Sequence, residues 1–297
     1  MKRSWNDTLT GLKGFAMGAA NVVPGVSGGT IALLTGIYGE IIDALDALAT
    51  PATWRLLFRG DWRGFWQRIH GRFLLALGIG VVASIFSLAK LMTWLLDRHP
   101  VQTWAFFFGL IVASALYLFA DLRIRRPADA LWALLGTVLG VVTCTLTPTA
   151  TPDGLWFIFL CGAIAVCTMI LPGISGSFIL VILSKYEYIM DAVARIDLPI
   201  LAVFALGCIA GILAFAKFLH WLLDRARRPT LLVLTGFVLG ALVKVWPWND
   251  PSSVAAANLL NGDAPDALHI PGAILWALAG IALVCALETL GKRVDDH

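Results

Sequence analysis

Apolar runs near the ~20 residues needed to cross a hydrocarbon core divide the chain, among them residues 73–96, 103–120, 198–223 and 272–290. Tryptophans such as Trp94, Trp156, Trp221 and Trp246 lie near segment ends, where an interfacial aromatic belt is expected. The pattern predicts an all-α polytopic membrane protein. Two further stretches interrupt their apolar run with proline followed by glycine, and these are the chain's distinctive feature.

Residues 22–45 read VVPGVSGGTIALLTGIYGEIIDAL, and residues 170–193 read ILPGISGSFILVILSKYEYIMDAV. At an offset of 148, nine of 24 positions are identical: Pro24/Pro172, Gly25/Gly173, Ser27/Ser175, Gly28/Gly176, Ile31/Ile179, Tyr38/Tyr186, Ile41/Ile189, Asp43/Asp191 and Ala44/Ala192. The similarity continues at offset 127, where Ala89-Lys90 and residues 94–98 match Ala216-Lys217 and residues 221–225. It resumes at offset 144, with LWALLG at 131–136 echoed by LWALAG at 275–280. Such self-similarity marks a duplicated unit. The repeats are 1–150 and 151–297, together one transmembrane domain, and the first carries a basic insertion of about 21 residues around 51–72.

Each repeat thus holds one P-G-x-S-G segment followed by three long apolar helices. Three crossings is an odd number, so if the P-G-x-S-G segments enter and leave on one side, the repeats are inverted. The positive-inside rule agrees. Hairpin segments gather Lys2, Arg3, the arginines of 51–72, Arg123 to Arg126, Arg225 to Arg228, Lys292 and Arg293 on the cytoplasmic side, leaving Arg98 and Arg195 outside. A single crossing per segment would scatter these clusters over both sides. Two crossings per segment would preserve the charge balance, but the first arm offers about 14 residues against the ~20 required, which favours re-entrant hairpins. Both termini are then cytoplasmic, and the 249–269 loop, which has no Lys or Arg, faces outward.

Composition sharpens the picture. Of 297 residues 59% are hydrophobic and 14% charged, with a mean hydropathy of +0.83, which excludes an ordinary soluble domain. A net charge of +3, spread over short loops, gives no nucleic-acid footprint. The five cysteines lie in apolar stretches without a C-x-x-C pair, as small buried residues do. The basic and apolar start resembles a signal peptide, but its recurrence inside the chain argues against one. Nothing calls for a cofactor or metal. The five histidines are scattered, and neither H-E-x-x-H nor G-x-S-x-G is present, so a membrane enzyme such as a lipid phosphatase has no supporting motif.

Proline followed by glycine breaks a helix, and irregular backbone at membrane depth is tolerated only where protein or a wet cavity surrounds it. Ser27 and Ser175 then stand as N-caps of the following arms. A helix start with small residues and available amides favours an anion. The candidate phosphate ligands are Asn21, Gly25, Ser27, Gly28, Gly29 and Thr30 in the first copy, and Gly173, Ser175, Gly176 and Ser177 in the second. The plainer alternative is a kink packed by small residues, which duplication in inverted repeats disfavours. Losing either serine hydroxyl is expected to weaken transport more than folding. Lys90 and Lys217 occupy equivalent apolar positions, each seven residues before Asp97 or Asp224 and so roughly 10 Å along a helix. A charge there is functional or snorkels to the surface. Asp43 and Asp191, with Glu40 and Glu187 nearby, either pair with basic residues or serve a coupling ion, proton or sodium. Lys13, Lys185, Lys244, His220 and Glu288 are unduplicated and are read as structural.

The run GAANVVPGVSGGTIALLTGIYGE (18–40), with its second copy LPGISGSFILVILSKYEYI (171–189), resembles the bacterial undecaprenyl (polyprenyl) phosphate translocase family over nearly the whole chain. The resemblance implies a plasma-membrane flippase that returns undecaprenyl phosphate from the outer to the inner leaflet for carrier-lipid recycling, among membrane lipids as partners. Gly29 against Ser177 and Thr30 against Phe178 depart from the internal symmetry, leaving open whether both copies hold phosphate equally. The residues alone reach an anion and a midplane site, and an ion-coupled carrier of a small soluble anion would also suit them.

Overall fold

A computed structural model describes residues 7–22, 27–147, 151–152, 154–173, 175–264 and 267–295, with side chains at all of these but 22, 89, 90, 93, 194, 253 and 287–295. Among the described residues every regular element is helical. Among the described residues four stretches are long and apolar enough to cross a membrane, Gly71–Leu88, Pro100–Leu122, Pro127–Thr145 and Leu198–Val243, and Leu155–Ile170 is shorter. Large apolar side chains along them, such as Ile79, Phe86, Leu134, Leu206 and Leu275, are exposed. In water that surface would be a liability; against lipid it is the expected exterior. The chain is a membrane protein.

The chain divides into two compact units: residues 1–86 with 146–231, and residues 87–145 with 232–297. The first contains both P-G-x-S-G segments. There α1 (Asp7–Val22), α2 (Gly28–Leu34) and α3 (Tyr38–Ala49) are repeated as α9 (Leu155–Ile170), α10 (Gly176–Ile182) and α11 (Tyr186–Arg195). The starts of α2 and α10, and of α3 and α11, stand at the sequence offset of 148. The turn between the second and third helix is also duplicated. Gly36 N–H bonds Leu33 O and Ile37 N–H bonds Ala32 O, at 3.2 and 3.0 Å, while Ser184 N–H bonds Val181 O and Lys185 N–H bonds Leu180 O, at 2.9 and 2.8 Å. This is a Schellman cap, which needs a left-handed residue. Gly36 has φ +72° and Ser184 φ +52°, so the second copy places a serine where glycine is the unstrained choice.

The 51–72 insertion is not a loop. It forms α4 (Pro51–Phe58), opened by a proline at its start, and α5 (Trp62–Arg68), N-capped by Asp61 through a 2.8 Å bond from Gly64 N–H. Phe58 and Trp62 are 85% and 70% exposed among the arginines, a mixture that favours headgroup depth. In the same unit the part of α6 (Gly71–Arg98) up to residue 86, the rest belonging to the second unit, packs on α1 through glycines: a Cβ on Gly14 would overlap the Leu77 carbonyl, and one on Gly80 the Gly11 carbonyl. The counterpart contacts recur between α9 and α12 (Leu198–Gly240), Gly162 against Phe204 and Gly207 against Phe159.

The second unit holds α7 (Pro100–Leu122), α8 (Pro127–Thr145), the part of α12 beyond residue 231, a 3₁₀ turn at Ala241–Val243, α13 (Pro251–Asn261) and α14 (Ile270–Asp295). Gly109 abuts Ala277 and Gly280 abuts Phe106, joining α7 to α14; Gly236 abuts Ala133 and Gly136 abuts Val233, joining α12 to α8. Offsets 127 and 144 map the first two contacts onto the second two. Small residues that let backbones touch are the usual cement of helices in lipid, where no hydrophobic gain drives association.

The continuous appearance of α12 hides a break. Ala226 has φ −142° and ψ 47°, nearly the angles of His99 between α6 and α7, φ −136° and ψ 53°. Thr103 Oγ1 donates to His99 O at 2.7 Å and to Leu95 O at 3.2 Å, and Thr230 Oγ1 to Ala226 O at 2.8 Å and to Leu222 O at 3.3 Å. These too stand at offset 127. Residues 249–269 are likewise more than loop. They contain α13, whose Val254 is buried with Val101, Ala105 and Ala273, and Asn258 ties it down by hydrogen bonds to Ala267 O and His269, both 2.9 Å.

Candidate functional site

The two P-G-x-S-G segments meet inside the first unit. Ser27, 2% exposed, is the N-cap of α2, and its Oγ accepts from Gly29 N–H at 3.1 Å. The same oxygen donates to Leu171 O at 3.2 Å, the carbonyl just before Pro172. Gly29 lies against this turn so closely that an added Cβ would sit 2.7 Å from Ile170 O. Only glycine permits that approach.

The first copy is therefore closed upon protein acceptors. Gly28 N–H donates to Asn21 Oδ1 at 2.8 Å, and Thr30 N–H to Ser27 O at 3.0 Å. The amides that the sequence predicts to be available are taken up by Asn21 and by Ser27 itself. Gly28, Gly29 and Thr30 are buried, while Asn21 is exposed. Gly25 lies outside the described residues.

The second copy differs. Gly173 takes φ +95° behind Pro172, a left-handed step that suits glycine, and it breaks the chain between α9 and α10. Ser175 is the N-cap of α10 but makes no side-chain capping bond. Its hydroxyl instead lies 2.7 Å from Ser177 Oγ, and Ser177 is exposed while Ser175 is half-buried. Gly176 packs against the Ala165 carbonyl, which a Cβ would approach to 2.6 Å. One copy is thus a sealed junction, and the other presents two adjacent hydroxyls. The signal for this asymmetry was the Gly29/Ser177 mismatch.

The structure also places the charged candidates. Lys217 is exposed on α12; the side chain of Lys90 lies outside the described residues. Asp43 pairs with His220 Nδ1 at 3.1 Å, and the other ring nitrogen of His220 lies 3.2 Å from Asp224. Glu40 pairs with His70 at 3.1 Å. Asp191 pairs with Arg195 at 2.9 Å, and Glu187 is exposed. Three of the four carboxylates thus have basic partners, and His220 has a role at Asp43 that no spacing could show.

Two lysines read as structural sit beside the helices that flank the P-G-x-S-G segments. Lys13 Nζ donates to Thr35 O at 2.8 Å, the C-cap carbonyl of α2, where a cation complements the helix dipole. Lys185 is 3% exposed; its Nζ donates to Thr151 O at 3.1 Å and lies 5.9 and 5.7 Å from the Phe157 and Tyr188 ring centres, within cation–π range.

Apolar helices packed through glycine, with two interrupted segments that touch one another inside the first unit, are those of a polytopic membrane protein. The chain belongs to the undecaprenyl phosphate translocase-like family, whose model matches residues 17–260. It is 42% identical over 306 residues to the polyprenyl-phosphate transporter of Vibrio cholerae serotype O1, covering 98% of this chain and 99% of that one. Against the polyprenyl-phosphate transporter of Staphylococcus aureus it is 32% identical over 254 residues, 80% of this chain and 85% of the other. No solved structure matches it. The chain is a transporter, not an enzyme.

Proposed function

We propose that this protein moves undecaprenyl phosphate from the outer to the inner leaflet of the bacterial plasma membrane, recycling the carrier lipid. The two repeats are inverted, the P-G-x-S-G segments are re-entrant hairpins entering from opposite sides, and the phosphate is held near the midplane where they meet. Both termini are cytoplasmic. The observation that carries this reading is the contact between the segments, from Ser27 Oγ to Leu171 O with Gly29 against Ile170. Helix α9, 16 residues long, reaches about 24 Å, short of the ~30 Å core, which supports hairpins over crossings.

The hydroxyl pair of Ser175 and Ser177 is the accessible side of the junction, and it takes the phosphate as hydrogen-bond donors. The first copy contributes when the Ser27–Leu171 bond opens and its amides turn from protein oxygen to phosphate oxygen. Asp43, Glu40 and Asp191, together with Glu187, are the candidate carboxylates for a coupling proton or sodium ion.

The test is leaflet exchange of labelled undecaprenyl phosphate in proteoliposomes, with a small phosphate ester as competitor. Accelerated exchange that the small ester barely inhibits is expected. Uptake of the small ester itself, with no exchange of the lipid, would replace this reading with a soluble-anion carrier.

A further inference from the structure

The second unit contains a cavity of about 420 Å³ where α6 gives way to α7, a size typical of small-molecule sites. Met92 and Leu95 from α6, Phe106 and Phe107 from α7, and Trp276 from α14 form its walls. The aromatic walls are fixed edge to face, with ring centres 5.4 Å apart for Phe106–Phe107 and 6.3 Å for Phe106–Trp276. His99 and Gln102 supply the polar groups. The third polar residue, Thr103, has its hydroxyl turned to His99 O and Leu95 O. The Gln102 amide nitrogen lies beside the first turn of α14, 3.8 Å from where a Cβ on Gly272 would stand.

We propose that this cavity is an isoprenoid-recognition site used when the lipid is first collected, before its phosphate is held at the serine pair: it takes the isoprene units nearest the phosphate of a polyprenyl phosphate, with His99 and Gln102 toward the headgroup. The inference rests on the transport reading above and adds where the lipid tail is recognised. In a bilayer an apolar wall gains nothing by covering a straight saturated chain, because the surrounding tails are equally apolar. Discrimination must come from shape. A branched, unsaturated chain carries methyl groups and double bonds that meet rigid ring faces and edges with dispersion contacts a flexible acyl chain makes only by giving up rotamers. The site is also one-sided. At offset 127 the counterparts of His99 and Gln102 are Ala226 and Pro229, neither with a polar side chain. An amphiphile is thus matched only near the end of α6 that carries Arg98, the side the charge distribution assigns to the outer leaflet, from which the cargo is collected.

The experiment uses the full-length protein in phosphatidylcholine nanodiscs and measures binding of farnesyl phosphate and dodecyl phosphate, which share a headgroup and differ in the chain. Wild type should bind farnesyl phosphate on the order of tenfold tighter, the scale of one well-packed aromatic contact. Leu95→Trp, which fills the cavity, should erase the preference, and Gln102→Ala should weaken both esters alike. Phe107→Leu serves if the tryptophan variant does not fold, and should reduce the preference several-fold. Equal binding of both esters by wild type, or a preference that survives in the folded Leu95→Trp or Phe107→Leu protein, overturns the proposal. So does a co-purified phospholipid that dodecyl phosphate displaces as readily as farnesyl phosphate. Undecaprenyl phosphate exchange by the same proteins in proteoliposomes separates the two claims: normal exchange without chain preference sinks this site alone, and no exchange sinks the transport reading with it.

Discussion

Ser27 and Ser175 are the same residue in the same motif, yet Ser27→Ala and Ser175→Ala should behave differently. Ser27 Oγ caps α2 at Gly29 N–H and donates to Leu171 O, while 2% exposed. Losing an N-cap costs typically ~1 kcal/mol, and stranding a buried carbonyl partner adds about 1 kcal/mol. The sum, about 2 kcal/mol, corresponds to roughly 4–8 °C in melting temperature if ~1 kcal/mol shifts a chain of this order by about 2–4 °C. Ser175 makes no capping bond, and its hydroxyl meets Ser177 at a more open position, so its removal should stay within about 0.5 kcal/mol. Thermal unfolding in mild detergent, followed by tryptophan fluorescence, reads the first quantity, and leaflet exchange in proteoliposomes reads the second. Ser27→Ala should melt several degrees lower, whereas Ser175→Ala should melt with wild type and exchange lipid more slowly. Of the two, only Ser175→Ala is then expected to weaken transport more than folding. If Ser27→Ala melted with wild type, or Ser175→Ala were the less stable, the assigned roles would be wrong.

Gly29→Ala places a Cβ 2.7 Å from Ile170 O, an overlap costing about 1–3 kcal/mol; Gly39→Ala, which meets nothing within 4 Å, should melt no lower than wild type. Because Gly109 against Ala277 and Gly236 against Ala133 are duplicate contacts, Gly109→Ala and Gly236→Ala should lower the melting temperature by similar amounts, with Gly78→Ala as an inert control; a large loss for only one would deny that the packing is duplicated. In a cysteine-free background, a cysteine at Ser252 should react with an impermeant maleimide in intact cells and one at Arg63 only after permeabilisation, so external labelling at 63 would refute the topology. Lys90→Gln should impair uptake from the outer leaflet and Lys217→Gln release at the inner one, each rescued better by Arg than by Gln; equal, small effects in both directions would mean that these lysines merely snorkel.

What the sequence made legible was whatever is local and repeated. The shared letters around Pro24 and Pro172 located α1 to α3 and α9 to α11 because a helix break and its cap are set by adjacent residues. The offset of 127 also explains why the break at Ala226 imitates the one at His99. Within the arginine-rich insertion at 51–72 two local signals mark its helices, Pro51 at a helix start and Asp61 as a cap. Other features lay beyond local pattern. That Asn21 and Leu171 would occupy the hydrogen-bonding groups of the first motif, or that His220 would reach Asp43 across 177 positions, depends on which helices pack together, and no spacing encodes it.

The near-symmetry of the sequence makes the asymmetry of the hydrogen bonds informative. Two copies with identical packing would define a single symmetric state, which cannot open alternately to two sides. Here one copy is sealed by Ser27 while the other shows its hydroxyls. In an inverted repeat the opposite state follows by exchanging the two roles, and at offset 148 the counterpart of Leu171 is Val23. On the transport reading, the second copy would then be sealed while Ser27 is released to the phosphate. The exchange cannot be perfect, because Ser177 stands where Gly29 allows the tight approach to Ile170. On that reading the second junction is expected to close less tightly than the first, with the resting population biased toward the arrangement seen here. Gly29→Ala would remove that bias by loosening the first junction to match, so it should shift the balance between inward and outward accessibility as well as the melting temperature. A Gly29→Ala protein that melts lower while its accessibility to an impermeant maleimide is unchanged would show that the asymmetry is packing alone.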